Sequence, residues 1–269
     1  MKKPVDLYDS HYGQAEADVY KAVRVEAFGE DLGQTSWITA AECDEFCRWL
    51  ELKPGKRVLE VACGSGGVAL RMAEHFGVSA IGVDFNESAV RAAANRAEGD
   101  AAQDRVVFQV ADANEKLPFP DESFDMLFCN DAINHLRDRG RVLADWRRLL
   151  RPGGRFLYTD PIVVTGCLSS AEIEARSSIG FFLFTPKGIN EELIGAAGFG
   201  LARVEDVTSG VSRTSQRWHE ARSKRRKELC ALEGEEKFEK LQQFLATVHT
   251  LASEGRLSRF AFMGEKKQG

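Results

Sequence analysis

Three groups of side chains in this chain have the types and spacing to do chemistry. The first is Glu60, Ala62, Gly64 and Gly66, within Arg57-Val-Leu-Glu-Val-Ala-Cys-Gly-Ser-Gly-Gly67. The second is the pair of acids Asp84 and Asp112, each placed just after an apolar run. The third is Asn130-Asp-Ala-Ile-Asn-His-Leu136, where His135 follows Asp131 by four residues. Glycines let a backbone come close to a ligand. A carboxylate such as Asp84 can accept two hydroxyls at once. An imidazole, with an ordinary pKa near neutrality, suits proton removal.

These residues need elements to hold them. Apolar runs near 57–62, 79–84, 105–111, 124–130 and 154–160 read as strands. Helical patterns near 67–76, 86–98 and 138–150 lie between them. This alternation implies a parallel sheet with helices on both faces, gripping its ligand at the carboxyl ends of the strands. The glycine run is not a dinucleotide fingerprint, which places Gly-x-Gly-x-x-Gly at the helix start to seat a pyrophosphate. Glu60 stands where it would repel phosphate and favour a cation. A ligand with a sulfonium, an ammonium and a ribose fits: S-adenosylmethionine rather than NAD.

The bulk of the sequence narrows the class. The 269 residues suffice for one large domain, or one domain with a lid. A formal net charge of −5 argues against a dedicated nucleic-acid binder. No run is long and apolar enough for a membrane span, and the start lacks an apolar signal core, so the expected location is cytoplasmic. Six scattered cysteines form no Cys-x-x-Cys pair, and no metal site is expected. Cys43 and Cys47 read as small apolar residues packing on one helix face.

In this order, Val58-Leu-Glu-Val-Ala-Cys-Gly-Ser-Gly66, Gly82-Val-Asp84, Ala111-Asp-Ala113, Leu117-Pro-Phe-Pro-Asp-Glu-Ser-Phe-Asp125 and Leu149-Leu-Arg-Pro-Gly-Gly154 resemble class I S-adenosylmethionine-dependent methyltransferases, of the branch that acts on small molecules. The resemblance implies an α/β fold: a Rossmann-like doubly wound seven-stranded sheet, last strand antiparallel, with an N-terminal lid and helical cap insertions. It implies a lid and first helix over 1–52, a cofactor-binding core over 53–160, cap insertions with the sixth strand over 161–256, and a last strand and tail over 257–269. Glu60 and the turn of Ala62, Gly64 and Gly66 are then expected to hold the amino-acid end of the cofactor. Asp84 would take the ribose, Phe85 would pack beside the adenine, Asp112 and Ala113 would meet the adenine edge, and Asn130 would line the methionine portion. Ala62 departs from the family, which more often has glycine there. Alanine fits only if its φ is negative.

On the acceptor side, His135 is the expected base, with Asp131 or Asp160 holding the ring and Tyr12 or Tyr20 reaching in from the lid. Phe181, Phe182 and Phe184 favour a partly apolar acceptor. The expected activity is methyl transfer to an oxygen or nitrogen of a small molecule. The alternative is a phosphobase or glycine/sarcosine-type amine N-methyltransferase. RNA methylation and NAD-dependent oxidation rank below both. The basic run from Arg213 to Lys227 reads as a solvated helix face rather than an RNA contact. No nucleic-acid or membrane partner is expected, and the chain is expected to be a monomer or homodimer.

Overall fold

The computed structural model describes residues 17–267. Helices α1 (Asp18–Phe28) and α2 (Ala40–Trp49) precede the sheet. The core then alternates β1 (Arg57–Val61), α3 (Gly67–Phe76), β2 (Ser79–Asp84), α4 (Glu87–Ala97), β3 (Val106–Val110), β4 (Phe124–Cys129), α5 (Arg139–Leu149) and β5 (Leu150–Val164). After it come α6 (Ser170–Arg176), β6 (Thr185–Pro186), α7 (Ile189–Ala196), β7 (Gly200–Asp206), α8 (Thr208–Lys224), α9 (Arg226–Glu233), α10 (Glu235–Ser253) and β8 (Leu257–Glu265).

The sheet runs β3-β2-β1-β4-β5-β8-β7. β8 is antiparallel to both neighbours, and the core pairs are parallel. The seven-stranded expectation holds along this path. The two-residue β6 is an eighth strand, paired to the far end of β5. The reversal of order between β1 and β4 opens a crevice at their carboxyl ends, where such sheets bind ligands.

Sequence pattern explains the layers. β1 and β4 are buried almost throughout, as strands covered on both faces must be. Their side chains alternate between two cores. One holds Val58, Met126 and Phe128 against α2 and α3, with Cys43, Phe46 and Cys47. The other holds Leu59, Val61 and Leu127 against α5, with Trp146. Cys43 and Cys47 are thus packing residues.

The basic run from Arg213 to Lys227 lies on α8 and α9, the first two of three successive helices. Gly234, at φ +83°, separates α9 from α10. Within the basic run, Arg217, Lys224 and Arg225 bind Glu26, through its carbonyl or its carboxylate. Arg222 binds Glu233, and Arg226 binds Glu235 and Glu239. Arg217, Lys224 and Arg225 thus tie the cap to α1, and Arg222 and Arg226 hold the cap helices to one another. The lid and the cap also share one hydrophobic cluster, in which Tyr20, Phe28 and Trp37 meet Trp218, Phe238 and Phe244. Among the described residues no helix is long and apolar enough to cross a membrane.

Candidate active site

Two cavities lie side by side above the carboxyl ends of β1, β2 and β4. The larger, about 960 Å³, is lined by Glu60, Ala62, Gly64, Asp84, Phe85, Asp112, Ala113 and Asn130. The smaller, about 110 Å³, lies under the cap and is lined by Tyr20, Trp37, Arg176, Phe182, Trp218 and Phe244. Thr35, Ser36, Asp131, His135 and Ile179 border both.

Glu60 sits near the end of β1, in register with Gly82 and Phe128. It is 3% exposed. The Ala69 amide in the first turn of α3 favours its ionised form, but burial dominates and pushes its carboxyl well above the usual range. Its Oε2 is buried with no hydrogen-bond partner among the described residues. A buried carboxylate oxygen without a donor is costly and suits an incoming cation. The donor set therefore fits the ammonium of S-adenosylmethionine.

Asp84 accepts from the Gly64 amide (2.9 Å) and the Asn86 amide (2.9 Å), one on each oxygen. Each oxygen keeps a second lone pair for a ribose hydroxyl. Burial raises its carboxyl above the ordinary value. Phe85 leaves 64% of its surface open on the cavity side of β2, a flat apolar face for a purine. Asp112 lines the same wall and accepts from the Asn114 amide and side chain through Oδ1.

Two expectations about the glycine turn need correction. Ala62 has φ +57°, not a negative value, so the chain holds a left-handed alanine on the cavity wall. That conformation costs about 1–2 kcal/mol for a residue with a Cβ. Gly66 does not line the cavity. A Cβ there would lie 2.4 Å from the Phe108 ring and 2.8 Å from the Ala93 Cβ, so this glycine serves close packing of α3 on its neighbours. Gly64 lines the wall, at φ +54°.

The catalytic expectations separate further. His135 borders both cavities. Its Nδ1 lies 2.7 Å from the Phe181 carbonyl, which can only accept, so Nδ1 carries the proton and Nε2 the lone pair. The ring leans on Phe182 at 4.7 Å between centroids. Burial, helped by Arg176, holds its pKa below the ordinary value, so the imidazole is neutral at neutral pH. Asp131 does not orient this ring through a hydrogen bond. Its Oδ2 accepts from the Trp37 amide (2.9 Å), and its Oδ1 from Arg259 (2.6 Å) and the Thr159 hydroxyl (2.7 Å). Asp160 is on neither wall. It is fully buried, with Arg139 at 2.6 Å and Asn190 at 3.0 Å, and it fixes the start of α5 and α7 to β5. Its neighbour Pro161 lines the smaller cavity instead. Tyr12 lies outside the described residues, while Tyr20 lines the smaller cavity and donates to Glu233 (2.8 Å).

Sequence reasoning missed the segment 35–37, the aromatic wall of Trp37, Trp218 and Phe244, and Arg259. Only Arg259 left a signal: a charge inside the otherwise apolar run Leu257-Ser-Arg-Phe-Ala-Phe-Met263. Among the described residues no group of three or more His, Cys, Asp or Glu side chains could hold a metal ion.

With the geometry in hand, known proteins supply the class. The sequence matches the methyltransferase domain family over residues 52–190. The chain belongs to that family, and its fold and glycine turn are those of the class I S-adenosylmethionine-dependent methyltransferases. It is similar to a 27-O-demethylrifamycin SV methyltransferase of Amycolatopsis mediterranei (strain S699), 35% identical over 59% of this chain and 60% of that one. It is also similar to phosphoethanolamine N-methyltransferase 3 of Arabidopsis thaliana, 37% identical over 49% of this chain and 26% of that one. The chain thus matches under two thirds of the length of either relative. Among solved structures, a phosphoethanolamine N-methyltransferase 2 of Haemonchus contortus, in complex with phosphomonomethylethanolamine and S-adenosylhomocysteine, shares the fold. Its TM-score is 0.81 at 24% identity, over 97% of this chain and 60% of that one.

Proposed function

We propose that this chain transfers a methyl group from S-adenosylmethionine, seated in the larger cavity, to an oxygen or nitrogen of a small, partly apolar molecule in the smaller one. The observation that carries the reading is the shared border: the His135 imidazole stands where the two cavities meet. When bound, the cofactor supplies an activated methyl on sulfur, so the acceptor atom forms its bond to carbon as the carbon–sulfur bond breaks. Glu60 holds the ammonium, and Asp84 the ribose hydroxyls. Phe85, Asp112 and Ala113 frame the adenine, and Asn130 lines the methionine portion. The aromatic walls exclude water and align the acceptor. His135 takes the acceptor's proton at Nε2, with its ring fixed by the Phe181 carbonyl.

An amine acceptor is the second reading, favoured by the similarity to phosphoethanolamine N-methyltransferases. Such a substrate needs His135 only to shed one proton. The reading places the enzyme in the cytosol, working as a monomer or homodimer on a diffusible acceptor, without nucleic acid or membrane. It keeps the division into a lid (1–52), a core (53–160), a cap (161–256) and a final strand with its tail (257–269).

The test has two parts. Calorimetric titration should give micromolar binding of S-adenosylmethionine and none of NAD. A screen of small hydroxyl and amine acceptors with methyl-labelled cofactor should then yield a labelled product. Binding of NAD in place of S-adenosylmethionine would overturn the reading.

A further inference from the structure

Arg259 lies in β8, two strands away from β4 across β5, and is 1% exposed, on the wall of neither cavity. It cannot touch a ligand. Its guanidinium nevertheless reaches the two residues that follow β4: Nη2 donates to Asn130 Oδ1 (2.9 Å), and Nε donates to Asp131 Oδ1 (2.6 Å). Its remaining arm donates to Glu42 of α2 (2.6 Å).

The far ends of these two residues hold consecutive residues of the lid. Asn130 Nδ2 donates to the Ser36 hydroxyl (2.8 Å), and Asp131 Oδ2 accepts from the Trp37 amide (2.9 Å). Arg259 can only donate, so Asn130 must turn Oδ1 to it, which leaves its NH₂ toward Ser36. Asp131 is held in the same node at φ +53°, a strained backbone that persists only where its surroundings over-determine it. The segment held this way matters. Thr35 and Ser36 border both cavities, and Trp37 lines the smaller one. A structural ion pair would need only Asp131 and Glu42. The guanidinium also reaches Asn130, so both links to the lid segment run through it.

Resting on the methyl-transfer reading above, we propose that Arg259 is a positioning residue. Through Asn130 and Asp131 it pins residues 35–37, the partition that sets how the acceptor meets the methyl group. A planar fork can hold both residues; a lysine keeps the charge but cannot span them. A shift of about 1 Å in such a partition is enough to cost on the order of a hundredfold in rate.

The test uses Arg259→Lys, Ser36→Ala and the double variant in the full chain. Hydrogen exchange at residues 35–37 is read without ligand, S-adenosylmethionine affinity by calorimetry, and kcat and KM with an acceptor from the screen. In Arg259→Lys, exchange at residues 35–37 should rise about tenfold or more. Affinity for S-adenosylmethionine should stay within about threefold while kcat falls about 10–100-fold. Adding Ser36→Ala should lower kcat by less than about twofold more, because both changes cut one link. Ser36→Ala alone leaves the ion cluster whole and carries the test if the lysine variant does not fold. It should raise exchange at Trp37 and lower kcat at least about fivefold. Wild-type exchange at residues 35–37, or kcat losses that multiply in the double variant, would overturn the positioning role. The exchange measurement needs neither cofactor nor acceptor. A wild-type protein that fails to bind S-adenosylmethionine therefore sinks the methyl-transfer reading separately.

Discussion

The two cavities are built in different ways. The larger is made mostly by one stretch of chain, 60–141, at the ends of β1, β2, β3 and β4, with the lid segment 32–38 and the cap residues 179–181 laid across it. Much of its binding surface is backbone: a glycine turn, the start of a helix, and acids that hold their own turn. The smaller is assembled from α1, the lid segment 35–37, the residues after β4, Pro161 of β5, the end of α6 and the turn after it, and helices α8, α9 and α10. Its walls are side chains brought together from both ends of the sequence. A site made of backbone turns tolerates few changes of sequence, whereas a site made of cap side chains can change acceptor without disturbing the sheet.

The largest expected effect lies on the border. His135→Ala should cut turnover about 10²–10⁴-fold for a hydroxyl acceptor, while cofactor affinity stays near the wild-type value. The pH–rate profile should lose an ionisation on the acid side of 6.5, since burial keeps this imidazole below that ordinary value. Wild-type turnover with an unchanged profile would reduce His135 to packing, and a small loss would point to an amine. The same group makes stability depend on pH. Its folded-state pKa is depressed, so its contribution is complete above about 6.5 and is lost as pH falls toward the folded value.

Next in size, Asp84→Ala should weaken S-adenosylmethionine binding by about 1.5–3 kcal/mol. Because Asp84 also holds the Gly64 and Asn86 amides, thermal unfolding should be followed beside the titration. Unchanged affinity would break the assignment of the larger cavity to the ribose.

Glu60 should show a trade. Its carboxyl is raised by burial, so in the ligand-free protein stability is greatest near and below pH 4.5 and is lost as pH rises through the folded value. Glu60→Gln should raise the stability of the ligand-free protein at neutral pH by about 1–3 kcal/mol and weaken cofactor binding. Calorimetry and thermal melts that moved together, rather than in opposite directions, would show that Glu60 does not serve a cation.

Ala62→Gly should have a smaller effect. Releasing the left-handed alanine, less the extra freedom of glycine in the unfolded chain, should stabilise by about 0.5–1 kcal/mol. A melt showing destabilisation would mean that the methyl packs more than it strains. Smallest of all, a strong chelator should leave turnover unchanged. Loss of activity restored by a divalent ion would reveal a metal that this reading does not include.

The sequence by itself determined the class of sheet, the succession of its strands along the chain up to β5, and most of the residues that line the larger cavity. The reason is locality: Glu60, Gly64, Asp84, Phe85 and Asp112 each lie within a few residues of the strand end that carries them, so apolar period and turn chemistry betray them. Even there, local reading mistook Ala62 and Gly66. A backbone dihedral and the approach of Phe108 are set by what packs behind the turn. Only the tertiary structure decided the smaller cavity. Asp160 falls at the expected end of its strand, yet Arg139 and Asn190, 21 and 30 residues away, seal it from the site. Asp131 sits one helical turn before His135 in sequence, yet its oxygens are claimed by Trp37, Thr159 and Arg259, the last 128 residues on. Spacing can show that a carboxylate is within reach of a histidine. Which of several donors a buried carboxylate takes depends on every group that the fold packs around it, because in a dry interior each must be satisfied.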